Sequence, residues 1–148
     1  MSFFIFLSAC IAAGATGVIF PPGAWYLAQK RPSFTPPNWA FPVVWTALYL
    51  LMAWAAARLA AVPGSGEALA LWSVQIALNT LWTPVFFGAH RKGAGMVVLG
   101  LLWLTVAALI VAAFRLDVVA GLILVPYLAW LSIAAALNYR IWRDNPGT

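Results

Sequence analysis

Polar and aromatic side chains recur at helical spacing inside one otherwise apolar stretch of the sequence. They follow one another at steps of four, three and four, which places two amides and an indole on one face of a helix: Gln75, Asn79, Trp82 and Phe86. Amides and indoles donate and accept hydrogen bonds without carrying a charge. This face is therefore suited to orienting a flat, largely apolar ligand.

Two further stretches carry stripes of the same kind. If the three helices pack together, their faces would line one aromatic pocket, and the small alanines would leave room for a flat molecule. The alternative is structural, because buried amides often only bond to a neighbouring helix and Trp often anchors a helix at the membrane interface. The sequence leaves both interpretations open. The stripes are Trp45, Tyr49 and Met52, and then Tyr127, Trp130, Ala134 and Leu137.

The titratable residues form no catalytic or metal-binding pattern. The single histidine, His90, stands between small and basic residues, and the three acids fall near the ends of apolar runs at Glu67, Asp117 and Asp144. Paired carboxylates, a nucleophile with its base, and metal-ligand spacings are all missing from the sequence. We therefore predict no catalytic residue, no metal site and no required cofactor.

The composition defines the surroundings of these stripes. Of 148 residues, 65% are apolar and only 7% are charged. A soluble domain needs more charged and polar residues to cover its surface, so this composition indicates an integral membrane protein. A β-barrel would need short alternating segments, which are absent. We predict an all-α membrane protein, a bundle of five transmembrane helices forming a single domain over residues 1–148. The predicted helices cover residues 3–20, 40–61, 68–88, 94–114 and 118–140.

Two processing signals compete with a retained first helix. "LSAC" at residues 7–10 is similar to a lipobox, and "AGA" at residues 13–15 is similar to a cleavage site. Residues 2–20 contain no Lys or Arg, however, and the apolar run before Cys10 is very short. We expect this segment to remain as a membrane helix.

The basic residues predict an orientation. Five helices place the two termini on opposite sides, and six cations share the side of the C-terminus, against two on the other side, Arg58 and Arg115. The positive-inside rule then predicts a cytosolic C-terminus and an outside N-terminus. The net charge of +5 is explained by this topology, so we expect no nucleic acid partner. The six cations are Lys30, Arg31, Arg91, Lys92, Arg140 and Arg143.

Residues 21–39 form the one long connection. Connections of this length in a tightly connected bundle are usually functional, and its prolines favour a rigid, largely non-helical lid over the bundle. The alternative is an interfacial collar of aromatic residues. Pro84 and Pro126 interrupt two of the helices and are expected to disturb them locally. The candidate lid residues are Trp25, Lys30, Arg31, Phe34 and Trp39.

Three blocks of sequence closely resemble the TspO/MBR family, the tryptophan-rich sensory proteins related to the mitochondrial translocator protein, and the chain looks like a bacterial-type member. The blocks occur in the family's order and are distributed along the chain. They are "WYLAQKRPSFTPPNWAFPVVWTALY" (25–49), "NTLWTPVFFGAHRKG" (79–93) and "PYLAWLSIAAALNYRIWRDN" (126–145).

The resemblance implies a five-helix bundle, usually a homodimer, whose first loop covers a cavity for porphyrins and other flat apolar molecules. The expected function is binding of protoporphyrin IX in porphyrin sensing or transport, with membrane lipid and sterol as further partners. Matched by motif, Trp45 and Asn79 would hydrogen-bond the ligand, and Tyr127 and Trp130 would pack against it. The remaining expected ligand-binding positions are Tyr49, Trp82, Ala134 and Leu137.

The resemblance leaves alternatives. Some bacterial relatives degrade porphyrin in light through tryptophan chemistry, so an enzyme is one alternative, and an oligomeric structural membrane protein is another. Phe34 replaces a tryptophan of many relatives, which weakens the transfer of photochemistry, and Ala94 replaces a tryptophan of the mammalian members, which weakens the transfer of drug binding. We expect the bacterial cytoplasmic membrane rather than the outer membrane.

The C-terminal stretch "LNYRIWRDN" contains a sterol-recognition pattern. Leu137, Tyr139 and Arg143 satisfy its order and gaps, although many membrane helices that end in Tyr and Arg do so. On a helix, Leu137 would face the cavity, and Tyr139 would point to lipid.

Overall fold

The computed structural model describes residues 2–20, 23–37 and 39–146, and in these ranges five long apolar helices form a bundle. No strand occurs in those ranges, and the prediction of an all-α membrane protein with five transmembrane helices is confirmed. The elements are α1 (Ser2–Ile19), α2 (Ala24–Ala28), α3 (Ala40–Ala60), α4 (Gly66–Thr83), a π-helix (Pro84–Gly88), α5 (Lys92–Leu116) and α6 (Val118–Asp144).

The observed boundaries extend past the predicted ones at the basic end of the bundle. α5 begins at Lys92 rather than at residue 94, and α6 continues to Asp144 rather than ending at residue 140. Hydropathy marks where the hydrocarbon ends, whereas a helix that has begun continues into the headgroup layer as long as its backbone bonds are made. The polar last turn of α6 is such a continuation.

The connection 21–39 contains one short helix, and its other described residues are non-helical, in line with the expectation of a largely non-helical segment. α2 is a short helix from Ala24 to Ala28. The prolines of the connection are residues 21, 22, 32, 36 and 37, so none of them interrupts this segment. Residues 21, 22 and 38 of the predicted loop, and residues 1, 147 and 148 of the predicted domain, lie outside the described residues.

Pro84 changes the end of α4 in a specific way. Proline has no N–H to donate to the preceding turn, and here the helix widens into a π-helical turn in which Ala89 N donates to Pro84 O at 2.8 Å. Arg91 N reaches Val85 O at 3.0 Å in the same turn. The wider turn carries Phe86 into the core, where it is almost fully buried. Pro126, in contrast, lies inside α6 without ending it.

Antiparallel neighbours account for most of the packing. α5 lies against both α4 and α6, while α1 covers α3 and α4. α3 also contacts α6, which closes the bundle. The centre is filled by side chains with almost no exposed surface, among them Met52, Leu59, Leu102, Val106 and Leu131.

An ion pair joins α3 to the start of α6 at the end of the bundle away from α2. Arg58 Nε donates to Asp117 Oδ2 at 2.7 Å, and its Nη2 reaches Oδ1 at 3.3 Å. Asp117 Oδ1 also accepts from Val119 N at 3.2 Å and so caps α6. The hydrogen bond from Arg58 holds the pKa of Asp117 below its usual range.

Replacing Asp117 with Asn tests this ion pair separately from the helix cap, because Asn still accepts a hydrogen bond from Val119. A carboxyl whose pKa is lowered by folding stabilises the fold above its unfolded pKa, near 4, and this contribution is lost as the pH falls through the lowered value. We expect Asp117→Asn to lower the thermal midpoint in detergent at pH 7 by a few degrees, and the difference from wild type to shrink toward pH 3. Glu67→Gln is the control, and a gap that does not depend on pH would contradict the assignment.

Candidate ligand-binding site

A cavity of about 790 Å³ lies between α1, α3 and the C-terminal part of α4 with its π-helix. Its volume is in the range of small-molecule sites, and its walls are mainly apolar and aromatic. α3 contributes Trp45 and Tyr49, the end of α4 contributes Trp82, and α1 contributes a backbone with little side-chain bulk at Gly14 and Gly17.

The small residues of α1 shape the wall opposite the aromatic residues. A Cβ at Gly14 would stand 3.2 Å from Cε2 of Tyr49, so the glycine allows α1 to approach the tyrosine ring edge. Ile11, Val18 and Leu50 line the cavity and are also 63%, 82% and 48% exposed at the bundle surface. The cavity therefore reaches the lipid-facing side of the bundle between α1 and α3.

Behind this wall, a chain of hydrogen bonds connects three helices. Tyr49 OH donates to Asn79 Oδ1 at 2.9 Å, and Asn79 Nδ2 donates to the Tyr127 hydroxyl at 2.8 Å. Tyr127 OH donates in turn to Gln75 Oε1 at 2.7 Å, and Gln75 Nε2 approaches Met52 Sδ at 3.9 Å. Because the hydrocarbon offers no water to satisfy these groups, the chain fixes α3, α4 and α6 relative to one another.

Trp45 is the centre of an aromatic cluster beside the cavity. Its ring stacks on Tyr49 with centroids 5.6 Å apart, and it meets Tyr127 and Trp130 edge-on at 6.2 and 6.3 Å. Trp130 also packs edge-on against Phe41 at 5.9 Å. The indole Nε1 of Trp130 is buried and has no hydrogen-bond partner among the described residues.

The structure divides the ligand-binding residues expected from the sequence into two groups. Trp45, Tyr49 and Trp82 line the cavity. The other five are grouped around and behind these three without lining it, and four of them are buried, all but Trp130. The assignment of all eight to one ligand site therefore stays a prediction. The five are Asn79, Tyr127, Trp130, Ala134 and Leu137.

A second buried hydrogen-bond chain involves Asn138, which the sequence analysis did not single out. Trp82 Nε1 donates to Asn138 Oδ1 at 3.1 Å, and Asn138 Nδ2 donates to Lys92 O at 2.9 Å. Gly95 makes room for it, because a Cβ there would lie 3.0 Å from Asn138 Oδ1. One sequence feature could have indicated this role: Asn138 is an amide within the apolar stretch of α6.

α2 packs onto the end of the bundle above the cavity. Tyr26 is fully buried and meets Phe41 and Phe87, two residues of the cavity wall, at 6.4 and 5.3 Å between ring centroids. Burial raises the pKa of Tyr26, and the neighbouring Arg31 partly opposes this rise. Trp25 stacks in parallel on His90, with centroids 4.3 Å apart. The first half of the connection is therefore a packed cover.

Hydrogen bonds attach this cover to the C-terminal end of α6. Asn145 pairs with the backbone of Lys30, accepting from its N at 2.8 Å and donating to its O at 2.9 Å. Lys92 Nζ donates to Gln29 Oε1 at 3.2 Å and to the Asn145 carbonyl. These bonds hold the cover against α5 and α6.

Of the five predicted lid residues, three belong to this cover and two do not. Trp25, Lys30 and Arg31 lie in or directly after α2, and the Arg31 guanidinium lies 5.2 Å from the centre of the Tyr26 ring. Phe34 and Trp39 are 46% and 69% exposed, which fits the aromatic collar interpretation better than a place over the cavity.

The three residues of the sterol pattern do not share one face of α6. Leu137 is buried, whereas Tyr139 is 46% exposed, and the Arg143 guanidinium lies 5.9 Å from its ring centre. A single sterol on the lipid side would therefore meet Tyr139 and Arg143 but not Leu137. In the part of the chain that the structure describes, no group of three or more His, Cys, Asp or Glu is placed to hold a metal ion.

Comparison with known proteins decides the family. The sequence profile of the TspO/MBR family matches residues 6–143, nearly the whole chain. The chain belongs to the TspO/MBR family. This membership confirms the resemblance carried by the three sequence blocks and, with the five apolar helices, makes the protein an integral membrane protein.

Individual relatives in this family come from bacteria and animals. Protein CrtK of Rhodobacter capsulatus is 53% identical over 149 residues, covering 98% of this chain and 93% of the relative. The tryptophan-rich sensory protein of Cereibacter sphaeroides is 48% identical over 143 residues, covering 97% and 90%. The human translocator protein is 38% identical over 133 residues, covering 83% and 76%.

Asn138 provides a direct test of the second hydrogen-bond chain. Asn138→Leu leaves the Trp82 indole N–H unpaired in an apolar surrounding and removes the bond to the Lys92 carbonyl, so we expect about 1–2 kcal/mol of lost stability. Ser132→Ala is the control on the same helix, since it removes two bonds at the bundle surface, from Trp103 Nε1 and to Leu128 O, each 2.9 Å. Unfolding in mixed micelles measures both variants, and equal losses would contradict a special role for Asn138.

Proposed function

We propose that this protein binds protoporphyrin IX or a similar flat tetrapyrrole from the bilayer and acts in porphyrin sensing or transport. The observation that supports the proposal is the 790 Å³ cavity, which Trp45 lines from α3 and Gly17 lines from α1, where an added Cβ would meet no atom within 4 Å. A flat macrocycle can stack on the aromatic wall, and the missing side chain at Gly17 leaves space for it on the side of α1.

The opening toward lipid and the cover by α2 support the same proposal. A hydrophobic ligand dissolved in the bilayer can reach the cavity between α1 and α3 without crossing water. At the covered end, Lys30 and Arg31 are exposed cations that would pair with the ligand's propionates. The unpaired Nε1 of Trp130 is a donor that a small rearrangement would offer to the same ligand.

Tryptophan fluorescence tests binding directly, because protoporphyrin quenches indoles close to it. We expect saturable quenching of the purified protein in nanodiscs, and we expect Trp45→Phe to weaken the affinity about tenfold through lost stacking area, a change of about 1.4 kcal/mol. The concentration at half-maximal quenching is the measured quantity.

Two controls accompany this titration. Trp103→Phe makes the same change at the far side of the bundle, where the indole bonds Ser132, and is expected to keep the wild-type affinity. The dimethyl ester of protoporphyrin lacks the propionate charges and should bind more weakly if Lys30 and Arg31 pair with them. Absence of saturable quenching in the wild type would end the proposal.

We also propose the orientation and the membrane. Lys30, Lys92 and Asn145 are held together at one end of the bundle, whereas Arg58 and Asp117 pair at the other. The positive-inside rule then supports a cytosolic location for the end that carries α2, in a bacterial cytoplasmic membrane.

Reporter fusions test the orientation. A C-terminal green fluorescent protein should fluoresce in intact bacteria, and a C-terminal alkaline phosphatase should be inactive because it folds only outside the cytosol. The reverse result would assign the cover to the periplasmic side. Recovery of the protein with outer-membrane vesicles would contradict the proposed membrane.

A further inference from the structure

We propose that the Tyr49 hydroxyl is the polar group with which the cavity discriminates between ligands, and that the remote Gln75 sets whether this hydroxyl accepts or donates a hydrogen bond. The inference rests on the proposed function, because it concerns the same cavity. The family resemblance implied that Asn79 would hydrogen-bond the ligand. We assign that role instead to Tyr49, the hydrogen-bond partner of Asn79.

Asn79 is already fully engaged by the protein. Its oxygen accepts from Tyr49 at 2.9 Å, its amino group donates to Tyr127 at 2.8 Å, and only 4% of its surface is exposed. Of the four residues linked by the strong bonds of this chain, Tyr49 is the one that lines the cavity. A ligand therefore meets the hydrogen-bond chain at Tyr49.

The direction of the chain determines what Tyr49 offers. Each member donates toward the next, from Tyr49 through Asn79 and Tyr127 to Gln75. The Tyr49 proton is committed to Asn79, and the lone pairs of its oxygen remain for the cavity. In this direction the cavity favours ligands with an N–H or O–H donor.

The same four side chains can form these hydrogen bonds with every donor and acceptor exchanged. If the amides of Asn79 and Gln75 each rotate by half a turn, Gln75 donates to Tyr127, Tyr127 to Asn79, and Asn79 to Tyr49. The Tyr49 proton then points into the cavity and favours a ligand acceptor. All three strong bonds are kept, and the reversal gives up only the weak contact of Gln75 Nε2 with Met52 Sδ at 3.9 Å.

Gln75 is the residue that fixes the direction, because it is the last acceptor in the chain. Met at this position has a similar length and lies beside Met52, but it offers Tyr127 only a weak acceptor. Tyr127 would then donate to Asn79, Asn79 would turn, and Tyr49 would become a donor. A substitution that does not line the cavity would thus invert its ligand preference.

Three flat tricyclic probes of nearly equal shape test this coupling: carbazole with one N–H donor, fluorenone with one carbonyl acceptor, and fluorene with neither. Affinities are measured by calorimetry in nanodiscs and expressed relative to fluorene, which removes the common apolar contribution. We expect the wild type to prefer carbazole over fluorenone about tenfold, as one hydrogen bond would give.

The variants distinguish the roles of the two residues. Gln75→Met should invert the preference, so that fluorenone binds several-fold more tightly than carbazole, and Tyr49→Phe should remove it. Ser132→Ala, which removes two surface hydrogen bonds on α6, is the matched control and should behave as wild type. If Gln75→Met does not fold, Tyr127→Phe replaces it and should bring the ratio close to one.

Three outcomes would overturn the proposal. They are a preference that persists in Tyr49→Phe, a preference in Gln75→Met equal to that of wild type, and equal binding of all three probes by the wild type. This result is separate from the test of the proposed function, because protoporphyrin can fail to quench while the probe preference inverts as expected. The reverse combination would leave porphyrin binding intact and remove only the role of Tyr49.

Discussion

The constraint on which this structure depends is that a polar side chain inside the bilayer must find its partner on another helix. Gln75, Asn79 and Asn138 have no water to bond, so each is satisfied by groups of neighbouring helices. Leucine and lipid tails are equally apolar, and hydrophobicity alone does not choose between helix neighbours. The amide chains make that choice, and they fix the orientation of the rings beside them.

The cavity is a consequence of this arrangement. Tyr49 and Trp82 are held by hydrogen bonds to Asn79 and Asn138 respectively, so their rings form a fixed part of the cavity wall. On the other side, Gly14 brings a backbone close without filling the space. The rigid aromatic wall on one side and the small residues of α1 on the other leave an apolar volume, and this arrangement is suited to selecting ligands by shape and by a hydrogen bond to Tyr49.

The cover is positioned by the same kind of interaction at the membrane edge, where polar groups and aromatic rings are both favourable. Asn145 holds the backbone of Lys30, and Tyr26 fills the space above the cavity. Most of this could not be read from the sequence. The prolines predicted a rigid connection, but they did not show that Ala24–Ala28 is helical or that Phe34 and Trp39 are exposed.

By itself, the sequence determined the five helices, the membrane environment and the family, because hydropathy over about 20 residues and long motif blocks are local properties of the chain. It also placed Trp45 and Tyr49 on one face of a helix and Asn79 on the polar face of the next, since helical periodicity fixes which residues share a face. Only the tertiary structure decided that Tyr49 lines the cavity while Asn79 is enclosed. Periodicity gives the face of a helix, whereas the rotation and depth of that face depend on partners far away in sequence, such as Tyr127 and Asn138.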